Sequence, residues 1–242
     1  MKNPLKDALP LIFYSAFFFA ASIFLSGCVP TPSDNTNVPP KITDLHFFFL
    51  PEQPGTRYLW HYTRLAPQKD SAYFLEYIGQ ENMKTSEGFM PVSLLEFSDT
   101  LRKDSLISEA YISDSLIVMY FGKSSDSLTP REIMLRDTLE VGAGWNAADN
   151  FRTSDGAHVS IRALVEDYYP ETNSAGKSYQ DVFLVSYTVT VKGTEIPLES
   201  QYQNGVHLSR YYARGIGDIL ERCSDSKDSL LWTNELMETR IR

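Results

Sequence analysis

Cysteine is nearly absent, with two in 242 residues, which excludes a disulfide-stapled scaffold. Histidine is scarce: His46, His61, His158 and His207 are dispersed and no two have the helical spacing of a zinc site, so a metal cluster has little material. Basic residues are outnumbered, 22 against 31 acidic, for a formal net charge of -9. That balance excludes a broad surface for tracking phosphates, and nucleic acid is not an expected partner. No Gly-x-Ser-x-Gly elbow is present, and no glycine pattern follows a strand as a phosphate cradle requires. Glu166 and Asp167 are adjacent and, in a strand, point to opposite faces, so they do not form an acid and base pair. No enzyme activity and no cofactor are expected; a hydrolase, built on carboxylates or a histidine that converge in space, is the lesser alternative. What is present is 43% apolar residues and 22% charged ones, enough for one sizeable core and unlike a disordered chain.

The apolar residues are unevenly placed. Met1 to Pro10 carry Lys2 and Lys6 against Asp7, and Leu11 to Leu25 then run fifteen residues without a charge. This is the outline of a secretory signal. At about 1.5 Å per residue the run spans about 22 Å, short of the roughly 30 Å that a permanent membrane helix must cross. Leu25, Ser26, Gly27 and Cys28 follow directly. This segment resembles the lipobox of bacterial lipoproteins: an aliphatic residue, two small residues, then cysteine. The resemblance implies cleavage between Gly27 and Cys28, and lipid on Cys28 (a thioether-linked diacylglyceryl group, with palmitate among the acyl chains). At about 0.8 kcal/mol per buried methylene, one chain binds marginally while two or three hold durably. Residues 1–27 are therefore read as signal peptide, with the membrane as partner through the lipid. An aspartate directly after the lipidated cysteine often retains such proteins in the inner membrane; Val29 stands there, so the outer membrane is expected if the source is Gram-negative.

Loss of residues 1–27 would remove Lys2, Lys6 and Asp7, leaving 20 basic and 30 acidic residues and a net charge of -10. With Cys28 lipidated, Cys223 is left without an intramolecular partner and is expected as a small apolar residue packed in a strand. From Val29 to about Leu45, Pro30, Pro32, Pro39 and Pro40 lie among Thr, Ser, Asp and Asn. Residues 28–43 read as the lipidated cysteine and a tether reaching at most about 50 Å in a polyproline-like state.

Residues 44–242 read as one all-β domain. Tyr58, Trp60 and Tyr62 alternate onto one face, as do Tyr73, Leu75 and Tyr77. Leu106 to Ile112 and Leu116 to Phe121 flank Ser113, Asp114 and Ser115 like hairpin arms. Further strands are expected at Glu132 to Arg136, His158 to Glu166, Asp181 to Lys192, Ile196 to Gln203, His207 to Ala213, Ile216 to Cys223 and Leu230 to Leu236. About ten strands with short polar connections predict an antiparallel sheet. An Asp-Ser/Thr-Leu triplet recurs at Asp99, Asp104, Asp114, Asp126, Asp137 and Asp228 with irregular spacing. It reads as punctuation: the polar pair makes the turn and the leucine begins the next buried face.

Tyr211, Tyr212, Ala213, Arg214, Gly215, Ile216 and Gly217, with Gly55 to Trp60 and Val141 to Trp145, resemble a group of bacterial envelope proteins. These carry a Gly-x-x-Trp motif twice and a late Tyr-Tyr-Ala-basic-Gly-x-Gly motif. Tyr58 departs from the usual first tryptophan, and Asp218 stands where an apolar residue is commoner. The resemblance implies a curved antiparallel sheet or half-barrel and no activity. Gly215 and Gly217 would let a strand bend at a rim, with Tyr211 and Tyr212 on opposite faces, as a strand corner or as a ligand-facing rim. The concave face is expected to hold an apolar ligand or a partner protein of the envelope. Exposed rings among the 13% aromatic residues would instead suit a glycan, although cross-strand pairs explain most of them.

Overall fold

The computed structural model describes residues 45–48, 53–65, 68–85, 88–101, 105–120, 131–137, 139–152, 157–193 and 205–240. The lipobox residues Leu25, Ser26, Gly27 and Cys28, the tether, and the strand expected at Ile196 to Gln203 lie outside them. A short 3-10 turn, Leu45–Phe48, precedes twelve strands. These are β1 (Arg57–Leu65), β2 (Gln68–Thr85), β3 (Gly88–Asp99), β4 (Ser105–Ile112), β5 (Leu116–Tyr120) and β6 (Arg131–Arg136). The second half comprises β7 (Gly144–Arg152), β8 (His158–Ser174), β9 (Lys177–Lys192), β10 (His207–Ala213), β11 (Gly217–Ser224) and β12 (Leu230–Arg240). All lie in one sheet, and every pairing among the described residues is antiparallel, in the order β6-β5-β4-β3-β2-β1-β12-β11-β10-β9-β8-β7.

The expected all-β architecture is present, with twelve strands in place of about ten. Two had no expectation at all. β3 carries Pro91 and opens on Gly88, both poor strand residues, and β7 reads Gly-Trp-Asn-Ala-Ala-Asp-Asn-Phe-Arg, with register breaks after Asn146 and Ala148. Their pairing comes from long neighbours: β3 lies along the 18-residue β2 and β7 along the 17-residue β8. The expected hairpin pairs Ile112 with Ile117 and Tyr111 with Val118, and Ser113 closes it by donating its backbone N–H to the Leu116 carbonyl at 2.9 Å.

The triplets behave as punctuation only in part. Ser105, Leu116 and Leu230 open or immediately precede strands, but the leucine is not dependably core: Leu139 is fully buried while Leu101 is 70% exposed. Leucine after a turn is apolar without being aimed, because the strand it starts sets its face. In the turn before β12 the side chain of Asp225, three residues before the Asp228 triplet, accepts the N–H groups of Lys227 and Ser229 at 2.8 and 2.9 Å. This frees Asp228 to adopt a positive φ of 62°.

The sheet curls until its two end strands meet. β6 and β7 are joined by the Trp145 indole N–H, which donates to the Ile133 carbonyl at 2.9 Å. Side chains of the inner face therefore meet across the barrel: Arg210 on β10 reaches Glu132 on β6, and Trp145 packs edge-on against Tyr187 at 6.5 Å between centroids. On β8 the alternation places Val159, Ile161, Ala163 and Val165 inward and buried, while His158, Arg162, Leu164 and Glu166 are exposed outward. Apart from Leu164, these outward residues of β8 are polar. The 3-10 turn places Leu45 and Phe48 three residues apart on one side. Both are buried, and Phe48 meets Phe183 edge-on at 5.6 Å. Burying a side chain of this size contributes about 1.5–3 kcal/mol.

Beyond Tyr169 of β8 and Val182 of β9 the hairpin leaves the barrel wall and reaches over β10 and β11 to β12. Two irregularities bend it: a bulge in β8 between Val165 and Asp167, and Asp181 in β9 with φ 51°. Asp181 secures the bend with its side chain, accepting the Tyr168 hydroxyl at 2.6 Å and facing Arg214 at 3.5 Å. At the tip, Glu235 of β12 accepts the Ser174 hydroxyl at 2.7 Å, and Lys177 donates to the Met237 carbonyl at 2.7 Å.

Candidate functional site

The densest chemistry lies inside the barrel and centres on Arg210. Its Nε donates to Glu221 Oε1 at 2.8 Å and its Nη1 to Glu132 Oε1 at 3.0 Å, with the guanidinium carbon 4.9 Å from the centre of the Tyr187 ring. The Tyr187 hydroxyl donates to the Met134 carbonyl and lies 2.9 Å from the Tyr212 hydroxyl. Asn234 continues the network, its Nδ2 donating to Glu221 Oε2 at 2.9 Å and to the Tyr73 hydroxyl at 2.6 Å. Strands β2, β6, β9, β10, β11 and β12 each contribute, so the cluster exists only when the sheet has curled. Sequence patterning could not find it, because inward polar residues such as Arg210 and Glu132 interrupt the apolar alternation that signals a core.

Burial sets the protonation behaviour. Removal from water raises the carboxyl of Glu132 above its ordinary range, against the pull of Arg210. Asp218 is pushed well above the ordinary carboxylate range by burial and then by the neighbouring Glu221 carboxylate. Burial alone would lower the Arg210 pKa, but the facing carboxylates, Glu132 foremost, hold it well above its usual value. The hydroxyls of Tyr73, Tyr187 and Tyr212 are all raised by burial, so they remain protonated donors.

The cluster fills the space it occupies. Glu132, Ile161, Tyr187, Val189, Leu208, Arg210, Cys223 and Trp232 line a remaining hollow that is water-sized. Cys223 is buried in this wall, and burial pushes its thiol up to about 12, which suits the packed apolar role. Among the described residues no group of three or more His, Cys, Asp or Glu side chains could hold a metal. His61 pairs with Asp70, and His207 lies 3.3 Å from the Thr188 hydroxyl.

The suggested rim residues separate. Tyr212 points inward and is buried in the Arg210 network. Tyr211 faces outward, stacked on Tyr169 of the crossing hairpin at 6.3 Å and 5.7 Å from the Arg222 guanidinium. A bulge separates the two tyrosines, and Gly215 and Gly217, with φ of 77° and 97°, make the turn that follows. Those angles favour glycine for lack of a Cβ. The residues form a strand corner, with Thr172, Asn173 and Ser174 of the hairpin laid beside Tyr211. Most of the larger rings are structural as well: Trp60 is buried and stacks on Tyr73 at 6.4 Å.

Fold and interior together define an antiparallel, barrel-like sheet with a packed, charged centre. No family model matches the chain, and no curated protein matches it in sequence. In solved structures its fold is similar to that of a protein assigned as a lipoprotein from Parabacteroides distasonis, with 11% identity and a TM-score of 0.52 over 80% of this chain and 99% of that one. It is also matched by a protein assigned as exported, with a YmcC-like fold, from Bacteroides fragilis, with 13% identity and a TM-score of 0.48 over 80% and 99% of the two chains. A β-barrel-like protein from Brucella abortus matches with 9% identity and a TM-score of 0.36, over 79% and 100%. At such identities the likeness to the Parabacteroides protein is one of fold.

Proposed function

We propose that the protein is a lipid-anchored module of the bacterial cell envelope that acts without catalysis, by binding a partner protein on its outer surface. The lipobox residues Leu25 to Cys28 support the anchor, and the shared fold with a protein assigned as a lipoprotein agrees with it. The observation that directs binding outward is the filled interior. The Arg210 network and its apolar wall leave water-sized space where an apolar ligand would need several hundred Å³. The glycan reading is weaker for a related reason, since Trp60, Tyr77, Tyr187 and Tyr212 are buried in the core.

Two measurements test this reading. Cys28→Ala should abolish processing, membrane partition and the acyl mass on the N-terminus; unchanged partition would remove the anchor. Native mass spectrometry of the chain purified from membranes should show no stoichiometric apolar molecule. One retained through gentle desolvation would return the binding site to the inside. For a Gram-negative source, Val29 after Cys28 supports outer-membrane placement, which density fractionation of the two membranes checks.

A further inference from the structure

The β8–β9 hairpin beyond Tyr169 and Val182 is an arm complete in itself. Glu171 pairs with Gln180, Thr172 with Tyr179, Asn173 with Ser178 and Ser174 with Lys177. Ala175 and Gly176, with φ of 48° and 73°, close it in a two-residue turn whose twist matches that of its strands. The ladder between β9 and β10 ends at Val182 opposite Ala213, and one further backbone bond, from the Arg214 N–H to the Asp181 carbonyl at 3.3 Å, lies at the hinge. The arm can therefore swing as a unit with its own pairing intact.

A short set of contacts on an outward surface holds it against the barrel. Tyr169 stacks on Tyr211 at 6.3 Å. The Ser174 hydroxyl and the Ala175 N–H both donate to the Glu235 carboxylate, at 2.7 and 2.5 Å, and Lys177 donates to the Met237 carbonyl at 2.7 Å. Tyr211, Ile219 and Leu220 lie beneath the tip; Leu220 is only 8% exposed although it shares the outer face with Tyr211 and Glu235. At its root the arm is bent by the β8 bulge between Val165 and Asp167 and by Asp181 at φ 51°. A residue with a Cβ adopts that backbone at a cost, from which a straight arm is free.

An arm swung away would leave Tyr211, Ile219 and Leu220 in water, which apolar burial opposes. The open form persists only where an equivalent cover replaces the arm. The same arm of another copy is such a cover, since it brings Tyr169, Ser174, Ala175 and Lys177 to the same partners. We propose that the hairpin of residues 169–182 is exchanged between two copies of this chain, each arm lying on β10, β11 and β12 of the other in a two-fold dimer. The contacts of the closed single copy are all kept, and the strain of two bends is released; strained hinges are where such exchange arises. Exchange requires neither a different partner protein nor the lipid on Cys28.

The test uses the full chain purified from membranes in detergent. Its protein mass at sedimentation equilibrium should approach two copies at high concentration and fall to one on dilution. Two differently tagged forms, one with Lys177→Cys and the other with Met237→Cys, both exposed positions, are then co-expressed. A short bismaleimide should link position 177 of one form to position 237 of the other, the joined peptides being identified by mass spectrometry. In a chain carrying both substitutions, the dimer fraction should give that link between copies and the single-copy fraction should give it within the chain. A chain that stays single at every concentration, or a dimer lacking the 177–237 link between copies, would overturn the exchange.

Discussion

The indole N–H of Trp145 and the backbone carbonyl of Ile133 are 2.9 Å apart, and they belong to the two end strands of a twelve-stranded sheet. Among the described residues, this side chain joins the two end strands where backbone ladders join the others.

Trp145→Phe keeps a ring against Tyr187 but removes the donor, leaving the Ile133 carbonyl to find another partner. The expected loss is about 1–3 kcal/mol, the penalty for an abandoned buried acceptor, read as a lower midpoint in urea. An unchanged midpoint would mean that the seam is held by packing alone.

Arg210→Ala leaves Glu132 and Glu221 buried without their cation. Breaking one side of such a pair costs about 3–5 kcal/mol. In a double-mutant cycle with Glu132→Gln, the two losses should fall well short of additive, because the second substitution removes a charge that the first had stranded. Strict additivity would show that the two side chains do not act together.

Asp181 adopts φ 51° at the bend of the β8–β9 hairpin and accepts the Tyr168 hydroxyl. Asp181→Val, β-branched and without an acceptor, should cost about 1–3 kcal/mol and expose residues 172–178 to limited proteolysis. Asp181→Asn, which tolerates the same backbone, should lose less than half as much. Equal cleavage of the two variants would dissociate the bend from the backbone conformation.

Cys223 is buried, and its thiol is raised to about 12. The thiolate is the reacting species, so at pH 8 the folded chain should resist an aromatic disulfide reagent for hours and react within minutes in denaturant. Rapid labelling without denaturant would show that the hollow beside Trp232 opens readily.

The sequence carried the sheet more clearly than its centre. β8 and β10 to β12 were legible because Val159, Ile161, Ala163 and Val165, or Tyr212 and Ile219, repeat on a face that one strand alone defines. β3 and β7 were not, since Pro91 and Asn146 are tolerated by long partners rather than favoured by local preference. The Arg210 cluster was hidden for a different reason: its members come from six strands, and each taken singly looks like an outward polar residue. Asp218 stood out as a departure from the motif it follows, which is a sequence signal, but its meaning needed the facing Glu221 and Arg210. The motif tyrosines were correctly placed on opposite faces, while the hairpin that covers Tyr211 depends on Asp181, whose left-handed backbone nothing in the sequence announces.

The strand order has a consequence for the order of assembly. β1 pairs with β12 in the middle of the sheet, register running from Arg57 opposite Arg240 to Arg64 opposite Trp232. The two halves of the chain are therefore joined through their first and last strands, and the barrel cannot assemble until residues 230–240 have been synthesised. The first six strands can pair among themselves as they emerge, but they cannot close against β7 to β11 until that last strand has joined β1.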